Sequence, residues 1–382
     1  MNPAAMRLQL LKRCFFPSEV CAGRDALERL ACLDPGQRVL LLSGGAAVRS
    51  GLRDKVIAKL KGSAAVDSIE WSGGEPTTQA IAGLQPRVAG FAPAWIVGLG
   101  GGSVLDAAKF IWAQFEHPEL DYSAGAKPIA PLRKLARLAL APTTAGSGSE
   151  ASQAAVLTNP AGAKVAYVSP HWIPDIAILD PAATVSLSPE ATALGGFDAL
   201  AHAIESAVSS LSHPMLQSLS ATVVRTVLRC LPQAVAAPQD WAAREGMMTA
   251  AHLGGICQST ASTGAAHALS HAMAGLHHTA HGLATAFYLA PTMEWNLAQK
   301  PAAYDDLAAD AGLADGKALL EAVRQLAHAV GIPTRLDTLV GREPSPGDLQ
   351  LLSEAACKDI CMRTNHCRMT PADVLKVLAS VA

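Results

Sequence analysis

The 382-residue sequence contains few charged and few aromatic side chains, and it lacks long apolar runs. Only 16% of the residues are charged and the net charge is −2, so neither nucleic acid nor a membrane surface is expected as a partner. No apolar run reaches the roughly 18 residues that a transmembrane helix needs, and the opening MNPAAMRLQLLKRCFFPSEV lacks the order of a signal peptide. The eight cysteines are scattered without disulfide-like spacing, which favours a reduced, cytoplasmic protein.

Short β-rich segments alternate with helical segments in the first half of the chain. The segment RVLLLSGG (38–45) is typical of a buried strand, and residues 50–62 are typical of an amphipathic helix. Residues 93–115 predict a strand, a glycine loop and a helix, and residues 135–150 predict a strand that leads into a loop. Because such alternation builds a parallel sheet, ligands are expected at the carboxyl ends of the strands.

The character of the sequence changes near Thr184. From Ser188 onward it is rich in alanine and helically periodic, and Ser188 followed by Pro189 is typical of a helix start. At about 100–200 residues per domain, the length fits two domains. We predict an α/β domain over residues 1–183 and an all-α domain over residues 184–382.

The segment GLGGGS (98–103) lies between an apolar run and a predicted helix. Consecutive glycines let backbone N–H groups approach an anion closely, and the start of a helix adds positive partial charge. We therefore predict that this loop binds the pyrophosphate of a dinucleotide, with a plain strand-to-helix turn as the alternative. The α/β domain is accordingly predicted to be a dinucleotide-binding domain.

The strand that ends at Gly44 has no acid at the position where dinucleotide domains often bind the ribose 2′-hydroxyl. A carboxylate at this position would repel a 2′-phosphate. Because Gly44 has none, NADP is favoured over NAD. Arg49 and Lys55 follow closely in the sequence. They are candidates for contacting such a phosphate, or else they are ordinary surface charges.

Five histidines lie within GAAHALSHAMAGLHHTAHG (264–282). His267 and His271 are four residues apart, as are Asp198 and His202 far upstream, so each pair shares one helical face. Several imidazoles with one carboxylate suit iron or zinc. A metal with open coordination positions would bind and polarise an alcohol or carbonyl oxygen. For Asp198 and His202 the alternative is a hydrogen-bonded pair on a buried helix face.

Four motifs together resemble the iron-containing (group III) alcohol dehydrogenase family. They are GLGGGSVLDAAK, APTTAGSGSE, GGFDALAHAIES and HALSHAMAGLHHTAHGLA, and they follow one another in this order over nearly the whole chain. The resemblance implies a dehydroquinate synthase-like fold and NAD(P)-linked hydride transfer between a small alcohol and its aldehyde. It also implies a homodimer and Fe²⁺ as the metal, with Zn²⁺ as the alternative.

The resemblance further implies roles for individual residues. The implied metal ligands are Asp198, His202, His267 and His281. The implied cofactor-binding residues are Gly44, Gly100, Gly101, Gly102, Ser103, Asp106, Thr143, Thr144 and Lys164. His271 is implied to assist proton transfer and His278 to line the substrate cleft, whereas His277 has no counterpart in the family. Glu150 is expected to have a structural role.

Two other activities on the same fold compete with this one. A maleylacetate reductase-like oxo-acid reductase is disfavoured because that group commonly has Asn where this chain has Asp198. A dehydroquinate synthase-type lyase would need a basic substrate pocket, for which the histidine-rich segment supplies few lysines or arginines. A thiolate zinc site is a further candidate, formed by Cys357, Cys361, His366 and Cys367. Its C-x₃-C spacing without a second pair favours free thiols instead.

Overall fold

The structure is a computed structural model that describes residues 13–33, 36–62, 64–72, 74–122, 129–160, 162 and 164–382. Most of the opening segment, on which the expectation of no signal peptide rests, lies outside the described residues. Among those described, no helix is long and apolar enough to cross a membrane.

A six-stranded sheet, parallel throughout, forms the centre of the first half of the chain. Its order is β1-β8-β5-β4-β2-β3, and a separate antiparallel pair joins β6 to β7. The strands are β1 (Glu19–Ala22), β2 (Arg38–Gly44), β3 (Ala65–Trp71), β4 (Trp95–Gly100), β5 (Arg137–Pro142), β6 (Ala154–Thr158), β7 (Lys164–Val168) and β8 (Ile176–Leu179). The predicted parallel α/β architecture is confirmed.

Helices and apolar side chains cover both faces of this sheet. The helices of this half are α1 (Gly45–Arg49), α2 (Leu52–Lys61), α3 (Thr78–Phe91) and α4 (Gly102–Glu116). Leu40 and Leu42 of β2 belong to the apolar core on one face, whereas Val39 and Leu41 belong to the core on the other. This is why the strand is apolar throughout rather than alternating. The helix predicted over residues 50–62 begins only at Leu52, because Gly51 adopts a φ of 73° between α1 and α2.

The second half of the chain is helical. Its helices are α5 (Pro189–Val208), α6 (Pro214–Ala236), α7 (Trp241–Ala261), α8 (Ala265–His277), α9 (His281–Gln299), α10 (Ala302–Asp310), α11 (Gly316–Ala329), α12 (Leu336–Val340), α13 (Pro346–Lys358), α14 (Ile360–Thr364) and α15 (Pro371–Ala379). The predicted cap of α5 is confirmed, since Ser188 Oγ accepts the backbone N–H of Ala191 at 3.1 Å. The strands end at Leu179 and the long helices begin at Pro189, on either side of the boundary predicted at Thr184.

Glycines allow the two halves to touch backbone to backbone. A Cβ on Gly146, in the loop after β5, would lie 2.7 Å from the Cα of Gly195 in α5. A Cβ on Gly148, which has a φ of 60°, would lie 2.4 Å from the Cα of Gly255 in α7. Any larger residue would push the loop away from both helices, so these contacts fix where the sheet edge sits against the helices.

We expect Gly255→Ala to destabilise the protein by about 1–3 kcal/mol, because its new methyl would lie 2.4 Å from the backbone oxygen of Gly148. Gly83→Ala in α3 is the matched control, since nothing lies within 4 Å of the added methyl; there alanine stabilises by up to about 1 kcal/mol. The free energy of unfolding, measured by denaturant titration, checks both. Equal stabilities of the two variants would contradict the close contact.

Candidate functional site

A cavity of about 450 Å³ opens at the carboxyl edge of the sheet. It lies at the point where the strand order reverses. Strand β3 pairs with one side of β2, whereas β4 pairs with the other side of β2 and also with β5. Such a switch point leaves a crevice between adjacent loops, which is where open α/β sheets bind ligands. The ends of β2, β4 and β5 all contribute to the wall.

The glycine loop predicted to bind a pyrophosphate lines this cavity. Helix α4 begins at Gly102 with Gly101 as its cap, so its first backbone N–H groups lie at the cavity edge. A Cβ on Gly100 would lie 2.6 Å from Val104, and one on Gly102 would lie 2.8 Å from Ser147 Oγ. The loop therefore depends on glycine for close packing as well as for access to its backbone.

Seven of the nine predicted cofactor residues line the cavity, and two do not. Those at its wall are Gly44, Gly100, Gly101, Gly102, Ser103, Thr143 and Thr144. Asp106 is half-buried and is not part of the wall; its two oxygens accept Ser149 Oγ at 2.5 Å and the Val156 backbone N–H at 2.9 Å. Lys164 is half exposed and pairs with Glu75 at 2.8 Å. The structure thus places Asp106 and Lys164 in loop-holding contacts rather than at the cavity.

Buried charges next to Asp106 hold the same loop. The Lys109 Nζ donates to the backbone oxygens of Ser152 and Ala154 at 2.9 and 2.8 Å, and burial lowers the pKa of this lysine to about 8. Glu150 Oε1 lies 3.2 Å from Nδ1 of the buried His252 in α7. This contact places Glu150 in the structural position that the sequence predicts.

An acid does face the end of β2, although it comes from the neighbouring strand. Glu70 lines the cavity from β3, since the parallel register puts it beside Ser43. Its Oε1 would lie 3.7 Å from a Cβ on Gly45, and the Arg49 Nη1 would lie 3.1 Å from the same point. The cavity wall beside Gly44 therefore carries a carboxylate that the sequence interpretation did not consider. Glu70 could have been found from the sequence at the end of β3, because neighbouring parallel strands have their carboxyl ends at the same edge of the sheet.

Imidazoles from three helices surround one carboxylate oxygen, Oδ1 of Asp198. The Nε2 atoms of His202, His267 and His281 lie 3.7, 3.6 and 3.5 Å from it. The ligand atoms of Asp198, His267 and His281 all lie within 4.8 Å of one another. His202 is not part of this set of three. It lies beside them, one turn after Asp198 on α5, and its ring stacks on that of His267 with centroids 4.8 Å apart.

The electrostatics of this cluster suit a cation. Oδ1 of Asp198 and Nε2 of His267 are buried and make no hydrogen bond, which is costly for protein groups that no ligand satisfies. Burial opposes the charged form of Asp198, but the neighbouring imidazoles outweigh it and hold the pKa of this carboxyl well below its usual range. Burial lowers the pKa of His202 to about 4 and so keeps its ring neutral.

His267 lies between two carboxylates. Its Nδ1 lies 2.5 Å from Glu205 Oε2 and its Nε2 faces Asp198. Burial disfavours a charged ring, but Glu205 and Asp198 prevail and raise the pKa of His267 to about 10. The field at this point therefore favours positive charge, as a divalent ion would supply.

Hydrogen bonds from behind orient two of the imidazoles. Glu205 accepts His267 Nδ1–H, and its second oxygen accepts the backbone N–H of Ala266 at 2.7 Å. Ser270 Oγ lies 3.0 Å from Nδ1 of His281 and donates to the His281 backbone oxygen at 2.9 Å. These bonds leave the Nε2 atoms to face Asp198, the arrangement usual for metal-binding histidines.

The remaining histidines of the segment differ in position. His271 is exposed on α8 and stacks on His281 with ring centroids 5.3 Å apart, and its Nδ1 lies 3.0 Å from Asp359 Oδ2. His278 is exposed and ends α8 with a φ of 55°, and His277 is half-buried at the last turn. The structure thus brings His271 to the cluster, whereas the described ring contacts of the cluster include neither His277 nor His278.

Comparison with known families covers both halves of the chain. The family profile described as "Iron-containing alcohol dehydrogenase" matches residues 17–181, and the one described as "Fe-containing alcohol dehydrogenase family, C-terminal" matches residues 192–382. The chain belongs to the iron-containing alcohol dehydrogenase family. It is therefore an oxidoreductase that transfers hydride between a nicotinamide cofactor and an alcohol or carbonyl compound.

Individual relatives of the family agree over nearly the full length. The NADPH-dependent butanol dehydrogenase of Clostridium saccharobutylicum is 29% identical over 97% of this chain and 98% of its own length. An alcohol dehydrogenase of Thermococcus barophilus is 32% identical over 86% of this chain and 88% of its own. The solved iron-containing alcohol dehydrogenase of Thermococcus thioreducens superposes with a TM-score of 0.90 at 30% identity, covering 97% and 99% of the two chains.

Besides Glu70, two acids near the imidazole cluster were not predicted from the sequence, Glu205 and Asp359. Glu205 lies one helical turn after His202 on α5, so its position toward the cluster was open to prediction. Asp359 contacts His271, which lies 88 residues away in the sequence. No local sequence pattern predicts such a contact. Both acids contact imidazole Nδ1 atoms.

We expect Glu205→Gln to weaken retention of a divalent ion by about 10–100-fold, since it removes the charge behind His267 while keeping the side-chain size. Competition with a chelator would measure this retention. Glu190→Gln is the matched control, because Glu190 lies exposed in the first turn of the same helix. Equal retention by both variants would show that Glu205 does not act on the ion site.

Proposed function

We propose that this enzyme is a divalent-metal-dependent aldehyde reductase and alcohol dehydrogenase for small substrates, with the ion held by Asp198, His202, His267 and His281. The observation that carries the proposal is the unbonded Oδ1 of Asp198 with three imidazole Nε2 atoms at 3.5–3.7 Å. One carboxylate and three imidazoles, which coordinate an ion as neutral rings, suit Fe²⁺, with Zn²⁺ as the alternative that binds such donors tightly.

The ion's chemical contribution, when bound, is Lewis-acid polarisation of the substrate oxygen. The chain's own residues do the positioning. The α4 start and the glycine loop hold the cofactor phosphates at the carboxyl edge of the sheet, and Thr143 and Thr144 line the same wall. Glu205 and Ser270 keep the rings of His267 and His281 in one orientation.

We propose His271 as the group that carries the proton to the product oxygen during reduction. Its side chain is 42% exposed and its ring stacks on that of His281. Because Asp359 accepts the proton on Nδ1, Nε2 is the atom left to exchange a proton with substrate or solvent. His278, exposed at the end of the same helix, is proposed to line the substrate cleft.

Reconstitution with metal tests the function. We expect the metal-free protein to oxidise NADPH or NADH with aldehydes only after anaerobic addition of Fe²⁺ or Zn²⁺, followed as loss of nicotinamide absorbance. His267→Ala removes one ligand and should lower turnover by at least about a thousandfold, since catalysis relies on the ion for several kcal/mol. His277→Ala on the same helix is the control and should retain activity. If the turnover rate changed neither on addition of metal nor in His267→Ala, the assignment of the metal ligands would be wrong.

The preference for NADP is proposed from Gly44 and Arg49. Gly44 presents no carboxylate of its own, Arg49 lines the cavity beside it, and the butanol dehydrogenase relative is NADPH-dependent. Glu70 opposes this preference, since its carboxylate faces the same wall and would repel a 2′-phosphate.

We expect Arg49→Ala and Glu70→Gln to change cofactor choice in opposite directions. Loss of the Arg49 charge should lower the NADPH-to-NADH ratio of kcat/KM about tenfold, and loss of the Glu70 charge should raise it by a similar factor, each about 1.4 kcal/mol. Lys55→Ala is the control, as Lys55 is not among the cavity-lining residues. A ratio unchanged in both variants would place the 2′ group elsewhere.

A homodimer and a cytoplasmic location are also proposed. Strand β1 is an edge of the sheet, and Val20 on it and Phe16 before it are 42% and 48% exposed, as an edge that pairs with another chain would be. All eight cysteines are free thiols, which suits a reducing compartment.

A further inference from the structure

We propose that His271, Asp359 and Cys361 form a second metal site, distinct from the Asp198 cluster, that takes a thiophilic divalent ion such as Zn²⁺. The three side chains each offer one ligand atom, and these atoms all lie within 4.8 Å of one another. Nothing in the family's alcohol-oxidising chemistry requires this set, which combines nitrogen, oxygen and sulfur. Imidazole and thiolate are ligands that zinc prefers.

The spacing already resembles that of a coordination sphere. His271 Nδ1 and Asp359 Oδ2 are 3.0 Å apart, close to the roughly 3.3 Å between two tetrahedral ligands with bonds of about 2.0–2.1 Å. An ion would replace the proton that these two atoms share, and that proton would move to Nε2 of the same ring. The remaining coordination position would face the solvent on the His271 side, where that side chain is 42% exposed.

The local backbone presents two of the ligands together. Asp359 caps α14, and its Oδ1 accepts the backbone N–H of Cys361 at 2.8 Å. This bond occupies one carboxylate oxygen and turns the other toward His271. Cys361 itself is 7% exposed, and α13 and α14 pack against α8, which carries His271. The ligands therefore come from two packed elements and not from one mobile loop.

The cysteine-rich tail does not form the other zinc site considered from the sequence. Both ring nitrogens of His366 are engaged by backbone oxygens, those of Val208 and Lys300, at 2.9 and 2.8 Å. His366 is thus unavailable to Cys361, which instead has Asp359 and His271 as its neighbours.

Binding is balanced by loss of one proton. The Cys361 thiol gives its proton to the solvent as sulfur bonds to the ion, because a coordinating thiol is deprotonated. One carboxylate and one thiolate then neutralise the dication, with His271 neutral. No oxidant or reductant takes part.

Occupation of this site would slow the enzyme. An ion on Nδ1 of His271 draws charge from the ring and makes Nε2 a poorer proton acceptor. Excess Zn²⁺ should therefore inhibit an enzyme whose first site is already filled. This consequence rests on the proposed function, whereas the existence of the site does not.

Anaerobic titration of the metal-free protein with Co²⁺ tests the site directly. Co²⁺ bound to Asp198 and imidazoles gives no thiolate-to-cobalt charge-transfer band, whereas Co²⁺ on Cys361 gives one in the near ultraviolet. We expect two ions per chain, the band growing with one of them. Cys361→Ser and His271→Ala should each remove the band and reduce binding to one ion; His271 is exposed, so its loss spares the core.

Two further variants separate this proposal from the first site. Cys357→Ser, a half-buried thiol on the neighbouring α13, is the matched control and should keep the band. Asp198→Asn should lose one cobalt ion yet keep the band. If this variant kept both ions, the result would contradict the ion site at the Asp198 cluster and leave the second site untouched. A wild-type protein with no charge-transfer band, or a band that persists in Cys361→Ser, overturns the second site.

Discussion

The close approach of two glycines in the loop after β5 to two glycines in the helical half is the constraint on which the site depends. Gly146 meets Gly195 of α5, and Gly148 meets Gly255 of α7. Helix α5 also carries Asp198 and His202, one to two turns after Gly195, and the loop begins with Thr143 and Thr144 at the cofactor cavity. The contact therefore joins the loop that lines the cavity to the helix that carries Asp198 and His202 through backbone alone.

Two charged residues of the segment GLGGGSVLDAAK contact the loop after β5. Asp106 and Lys109 sit one helical turn apart on α4, and between them they bind the backbone or side chains of residues 149–156. Burying such groups is tolerated because each has hydrogen-bond partners.

The sequence predicted the elements well because their signals are local. The apolar strands, the glycine turn and the Ser188 cap each depend on a few adjacent residues, and the structure places them as predicted. Contacts between distant segments were not predicted. Glu70 reaches the cavity through strand register, Asp359 reaches His271 from 88 residues away, and Asp106 turns inward because Ser149 and Val156 offer donors there. Such contacts follow from packing, which periodicity alone does not encode.

The density of histidines in 264–282 follows from the geometry of α8. His267 and His271 are one turn apart, so one helix face serves two adjacent ligand sets: His267 points to Asp198, and His271 lies between His281 and Asp359. The helix ends at His277 with His278 as its cap, and α9 begins at His281. A turn this short brings His281 back to the same face, so three imidazoles converge without a long loop. The same compactness places His271 beside both sets, so a ligand on its Nδ1 would change the proton affinity of its Nε2.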